Sequence, residues 1–509
     1  MKLYTTILFS ALGVVSFGQY TFYDLEQNNI SATLSNDGLF FHNSETSSAG
    51  YEAPAGSGTH MIYSMGFWFG GEDVNGSTKL AAQTYTPEGD LFTGPLTTDG
   101  TAEYPSGSEE YTVYPVTKAE IDNHIENYDE IGYTTPENIL NWPAHGDVAE
   151  GVSFNLAPFV DTDGDGVYDP THGDYPKIKG DEAVYIILND KADLHETGGD
   201  PIGIEVHYLV YQYNSSDWED ATFINMKVIN RGTQTLFNFR AACFADIDVG
   251  LADNDFVGFN EENNVMFGYN GNTGGGDDVA AVGIVGLNKD ARAFATYAAS
   301  GGATGAPSTS TDYYNYMGAI WPDGTSFTEG GIGHGGTENT NFLYSGNPNS
   351  PEEWSELSAE NVPGDRRMMM SFEEESFGPF QILCYDFAIV YNEDGDNLEN
   401  VQNVIDLAGD AIDFYDADPV PYCMSGTVSI EKETQSELSI MPNPSNGNFK
   451  VNFEGQYDLN ILSLDGRLVY EQNNNTGSTI IDTDLADGTY LVLLKQNEKV
   501  YPSKIVIRH

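Results

Sequence analysis

Basic residues are scarce in this chain: 20 Lys and Arg stand against 78 Asp and Glu in 509 residues, a formal net charge of -58. A field of that sign repels phosphate backbones and anionic lipid, which excludes nucleic acid and acidic membrane surfaces as direct partners. Cysteine is almost absent. Cys243, Cys384 and Cys423 lie far apart with no CxxC spacing, which argues against a thiolate metal site. In an oxidising compartment one pair can form a disulfide and leave one thiol over, and the sequence leaves all three pairings open. No apolar run beyond the N-terminus approaches the ~20 residues of a membrane span, so no transmembrane segment is expected in the mature chain. Also missing are a GxSxG elbow, an HExxH pair, a P-loop and a GxGxxG turn, and no catalytic residue is assigned. Among 78 carboxylates a pair at glycosidase separation can always be found, so such a pair carries no information.

What is present points to a folded, exported protein. Hydrophobic residues make up 40% and aromatics 12%, enough to build cores despite the acidity. Lys2, an apolar run from Leu3 to Phe17, and small residues Ser16 and Gly18 before Gln19 read as an export signal over residues 1–18. The length favours two to four domains. Charge divides the chain as well. Ser436 to His509 holds 9 acidic and 6 basic residues, leaving 69 acidic and 14 basic for the other 435. The polar stretch "SGTVSIEKETQSE", residues 425–437, suits a linker between a body at 19–424 and a C-terminal domain at 438–509. The body's length leaves room for two units divided near 190–200.

The body is expected to be mainly β, a β-sandwich-like fold with few helices. "AVYIILND", "IEVHYLVYQY", "ATFINMKVINRG" and "LFNFRAACFADID" are rich in β-branched and aromatic residues and are bounded by turn formers. Thr117 and Glu120 form a capping-box pattern ahead of Ile121, Ile125 and Tyr128 on one helix face. A second helix is expected from Leu398 to about Tyr415, capped by Asn397. The Gly, Ser and Thr-rich segment 298–312 reads as a surface loop.

The C-terminal stretch alternates in short β runs that end at Pro442-Asn443-Pro444, Asp465-Gly466 and Asp487-Gly488, the pattern of a small Ig-like β-sandwich. The order PNPSNG, LNILSLDGRLV, DLADGTYLVLL and KIVI resembles the type A C-terminal (Por secretion) sorting domain of Bacteroidota type IX secretion cargo. That resemblance implies partners in the type IX machinery and its sortase-like peptidase. It also implies passage through the periplasm to a secreted or outer-membrane surface-attached state. "GFWFGGEDVNGSTKLAAQTY", "DTDGDGVYDP" and "DYYNYMGAIWPDGT" in the body resemble an uncharacterised group of secreted proteins with this domain, which implies an address and no activity.

Three stretches carry candidate chemistry. In "DTDGDGVYDP", oxygen ligands recur at every second residue of a loop that Gly164 and Gly166 allow to turn tightly. Ca²⁺ gathers six to eight oxygens this way, from the carboxylates of Asp161, Asp163, Asp165 and Asp169 and the carbonyl of Val167. The loop resembles those of thrombospondin type 3 repeats and dockerins. It departs from the EF-hand at the twelfth position, where His172 replaces Glu, so Asp174 or a distant residue must close the shell. "ADIDVGLADNDFVG" offers a second, less regular calcium candidate in Asp246, Asp248, Asp253 and Asp255. Tyr313, Tyr314, Tyr316 and Trp321 form a candidate ligand face for stacking on sugar rings, set against alternation into a β core. His195 and His334 read as exposed loop histidines, and Arg366 and Arg367 as partners of local carboxylates. The expectation is a calcium-stabilised surface or extracellular protein that binds a polysaccharide or protein ligand without catalysis. The alternative is an extracellular hydrolase of polysaccharide or peptide.

Overall fold

The computed structural model describes residues 20–509 except 84, 86–88, 272–278, 299–301, 419–421, 428–438, 464–467, 487 and 497–498. The export signal at 1–18, most of the linker at 425–437, and the Asp465-Gly466 turn lie outside the described residues. Two compact units divide at Thr427 and Val428.

The principal strands of the first unit are β1 (His60–Glu72), β2 (Glu182–Asn189), β3 (Ile204–Gln212), β4 (Ala221–Asn230), β5 (Leu236–Ile247), β6 (Asp255–Asn260), β7 (Val265–Asn270), β8 (Ala281–Gly286), β9 (Ala293–Tyr297), β10 (Arg366–Phe377) and β11 (Gln381–Asn392). One antiparallel sheet contains β1-β5-β10-β9, with short N-terminal strands beside β1. The other runs β6-β7-β8-β11-β4-β3-β2. Residues 190–203 connect β2 to β3, which pair in one sheet, so this segment is a hairpin connection and the first unit is not divided there.

The sheets pack face to face through large apolar side chains, as in a sandwich. Phe67 of β1 lies 5.3 Å from Tyr208 of β3 and 5.5 Å from Phe387 of β11, ring centre to ring centre. The second sheet is covered on its other face too: a long helix buries Val401, Val404 and Ala408 against β7, β8 and β11, and Trp142 and Leu156 lie over Tyr185 of β2. Double coverage explains why every residue of β2 and β3 is buried and why their sequences run apolar with little alternation.

Helices are few, as expected: α1 (Lys118–Asn127), α2 (Ser310–Tyr316) and α3 (Asn397–Asp416) are the longest. Thr117 and Glu120 form the anticipated capping box on α1. The cap of α3 is Asp396, one residue earlier than expected, because its carboxylate accepts from both Leu398 N and Glu399 N at 3.0 Å. Cys384 is bonded to Cys423, and Cys243 is a buried thiol of the sandwich core. The second unit is a five-stranded antiparallel sheet with its own core of Phe449, Val451, Leu459, Ile461, Val492 and Ile505.

Candidate metal centre

The two acidic stretches fold differently. In the first, Gly164 and Gly166 take φ of 77° and 81°, the left-handed region that the tight turn needs. Asp161 accepts from Gly164 N at 2.7 Å and Gly166 N at 2.8 Å, which holds its carboxyl below the usual range. Asp161, Asp163 and Asp165 each bring one oxygen into a group no wider than 4.8 Å. Asp169 is not in that group. Its carboxylate caps the following 3-10 turn, accepting from Thr171 N at 2.8 Å and contacting His172 Nδ1 at 2.8 Å. Asp174 is fully buried and clamps the two ends of the loop by accepting from Thr162 N and Asp169 N. The Val167 side chain is exposed.

The second stretch builds a buried centre. Alternation along β5 turns Cys243, Ala245 and Ile247 toward the second sheet and Phe244 and Asp246 to the opposite face of the first, where Phe244 is also buried. Asp246 stands opposite Ser64 of β1 and Arg367 of β10, and Arg367 stands opposite Tyr297 of β9. The register with β1 shifts just after Asp246, the kind of irregularity that re-aims side chains beside functional sites. The Gly364 amide donates to Asp255 O at 3.0 Å, pinning the loop before β10 onto β6. Asp365 is thereby carried to Asp246 and Asp248, and the three offer oxygens within 4.8 Å of one another.

Asp255 at the start of β6 is close enough to repel Asp246 and Asp248, whereas Asp253 is outside the group. Asp246 Oδ1 and both carboxyl oxygens of Asp255 are buried with no well-formed hydrogen bond. Burial, with Asp248 and Asp365 adding to it, pushes Asp246 up to about 7 against the pull of Arg367. Burial and Asp365 push Asp248 up to about 6. Burial also raises Asp255 well above the carboxylate range. Carboxylates without enough donors are costly in a protein interior, and a divalent cation is one group that would supply the missing charge and coordination. The donor set is all oxygen, which suits Ca²⁺ over a softer metal.

An aromatic cleft adjoins this centre. It encloses about 370 Å³ and is lined by Trp68, Tyr85, Phe244, Tyr297, Tyr313 and Arg367, among others. Arg367 joins the two features. Its guanidinium contacts Asp365 Oδ1 at 2.5 Å and Asp246 Oδ2 at 3.4 Å, donates from Nε to Tyr85 Oη at 2.5 Å, and lies 5.4 Å from the Tyr85 ring centre. Trp68 stacks on Phe244 at 5.1 Å and meets Tyr313 edge-on at 4.7 Å.

Of the four aromatics expected to form a ligand face, Tyr313 alone lines this cleft. They sit on and after α2, not on a strand, because Thr309 and Asp312 form a capping box. Tyr314 packs under Arg240, and Tyr316 and Trp321 are core residues. His195, expected to be exposed, is buried between Leu80 O and Asp190 O at 2.7 Å each, while His334 is at the surface against Asp323. Arg366 and Arg367 pair with carboxylates as anticipated, Arg366 with the buried Glu356 at 3.0 Å. Asp365 was absent from the sequence-derived set; the signal for it was an acid beside two cations in a chain with few.

Residues 439–508 match the secretion system C-terminal sorting domain. The chain is type IX secretion cargo. The sorting domain directs export to the cell surface or outside and engages the type IX machinery. Among the described residues no helix is long and apolar enough to cross a membrane. No curated protein matches the chain. A solved polysaccharide lyase aligns at 8% identity over 87% of this chain and 47% of its own, with a TM-score of 0.19. The chain thus spans about half the length of that protein, and a likeness at that score bears on neither fold nor activity.

Proposed function

We propose that the body exported by the sorting domain is a calcium-binding extracellular protein that holds a ligand in the aromatic cleft beside the ion. The observation that carries this reading is the centre of Asp246, Asp248 and Asp365, with Asp246 Oδ1 and the Asp255 carboxyl buried around it and short of well-formed hydrogen bonds. Calcium there would fix the end of β5 to the loop before β10 and so set Arg367 and Tyr85 at the cleft wall. The loop of Asp161, Asp163 and Asp165 is a second, exposed calcium site in this reading. Flat rings around a concave space, with Arg367, Gln83 and Ser308 among them, suit the faces and hydroxyls of a sugar. Hydrolysis would need two carboxylates opening on the bound ligand. Among the described residues Glu196 is the one carboxylate that lines the cleft, and Asp246 is screened from it by the Arg367 contact.

The test is retention of the purified protein on a panel of extracellular polysaccharides, with calcium and with chelator, while the eluate is assayed for shortened chains. Calcium-dependent retention without cleavage is expected. Cleavage, or retention that ignores both chelator and Tyr313→Ala, would defeat the proposal.

A further inference from the structure

A second cavity lies on the other side of the sandwich, on the face of the second sheet turned away from the first. There His207 of β3 stands opposite Lys227 of β4, Lys227 opposite Cys384 of β11, and Leu209 opposite Asn225. The segment Tyr422–Met424, tied to β11 by the Cys384–Cys423 disulfide, lies against these residues. Together they enclose about 180 Å³, lined by Tyr185, His207, Asn225, Lys227, Tyr422 and Met424 among others. Met424 is 75% exposed, so the cavity reaches the surface beside it.

Nearly every polar group around this space is committed. Glu205 accepts from Arg231 Nη2 at 2.5 Å, His207 Nε2 at 2.7 Å and Leu96 N at 2.8 Å. His207 Nδ1 meets Tyr185 Oη at 2.6 Å, and burial together with the nearby Lys227 charge keeps the imidazole neutral, down to about 4. Asp386 takes donors from Asn225, Asn288 and Tyr415. Two groups remain. Asn225 Oδ1 is buried without a donor, although Asn225 Nδ2 is bonded to Asp386. Lys227 lines the cavity and its ammonium has no hydrogen bond or ion pair among the described residues; Glu205 acts on it only at longer range. An ammonium offers three donors and wants an anionic acceptor. An amide oxygen wants a donor. Water would satisfy the hydrogen bonds but not the charge, and the space exceeds that of a single water.

We propose that this cavity binds a small hydroxycarboxylate, its carboxylate accepting from Lys227 Nζ and its hydroxyl donating to Asn225 Oδ1. The cavity is independent of the calcium centre and the aromatic cleft, which lie on the outer face of the first sheet.

Glycolate, lactate and acetate are the probes. Calorimetric titration of the purified protein is expected to show glycolate or lactate binding more tightly than acetate, which lacks the hydroxyl. Lys227→Met should weaken binding by about tenfold to a hundredfold, the range of a charge-assisted hydrogen bond. Asn225→Ala should erase the preference over acetate. A readout on the unaltered protein avoids any folding defect of a variant: reductive methylation followed by peptide mass analysis should find Lys227 protected by glycolate or lactate and not by equal chloride. Methylation of Lys227 that none of the acids slows, or equal binding by Lys227→Met, would overturn the assignment.

Discussion

Removing calcium at two pH values tests the buried centre through its own electrostatics. In the cation-free protein Asp246 is pushed from 3.8 up to about 7, so the folded state holds this proton more tightly than the unfolded chain. A carboxyl raised in this way contributes stability that is complete below about pH 4 and lost as pH rises through about 7. Three pH units at 1.36 kcal/mol each put the loss at about 4 kcal/mol. Asp246 is 3% exposed, so solvent screening reduces that figure little. Calcium requires the ionised form, and its stabilisation at a concentration a hundredfold above Kd is about 2.7 kcal/mol. The gain on adding calcium should therefore be small near pH 5 and large near pH 8. For a unit of this size, 1 kcal/mol moves Tm by about 1–2 °C, an extension of the trend for smaller domains. Scanning calorimetry of the protein with calcium and with chelator reads this directly. Equal calcium shifts at both pH values would refute the reasoning, as would an Asp246→Asn variant that keeps the wild-type pH dependence.

Other consequences follow from single contacts. Asp163→Asn should remove one calcium equivalent from the binding stoichiometry and leave the buried centre's equivalent in place, because the loop of Asp161 and Asp165 is separate from it; atomic absorption after desalting counts the ions. Glu205→Ala leaves Arg231 buried without its partner and should cost about 3–5 kcal/mol in chemical denaturation. Replacing both Cys384 and Cys423 by Ser opens a loop of sequence separation 39 and should cost about 4 kcal/mol on the chain-entropy account, seen as an earlier urea midpoint. Tyr313→Ala should lower polysaccharide retention and cost at most about 3 kcal/mol of stability, since Tyr313 is partly buried against the core as well as meeting Trp68 edge-on; urea denaturation reads the cost.

The sequence made some of this legible and hid the rest for physical reasons. The sorting domain was readable because several ordered motifs fall within one short stretch. The strands of the second sheet were readable because a sheet covered on both faces needs continuous apolar runs such as "AVYIIL". The short helix α2 was not, since its Tyr-rich sequence suits a strand as well and a capping box at Thr309 and Asp312 decided the matter. In the first loop, regular spacing located Asp161, Asp163 and Asp165, yet it could not show that Asp169 turns back to cap its own turn. At the second site, adjacency in sequence suggested Asp253, while pairing between β5 and β10 supplied Asp365 from more than a hundred residues away. Ladder register is a long-range property that one acidic cluster does not encode.

The most direct test of the calcium centre is a crystal structure of the protein grown with calcium and measured for anomalous scattering. The account predicts an anomalous peak bonded at about 2.3–2.6 Å to oxygens of Asp246, Asp248 and Asp365. A map with no peak there, and with Asp246 and Asp255 satisfied by water or by protons alone, would contradict it.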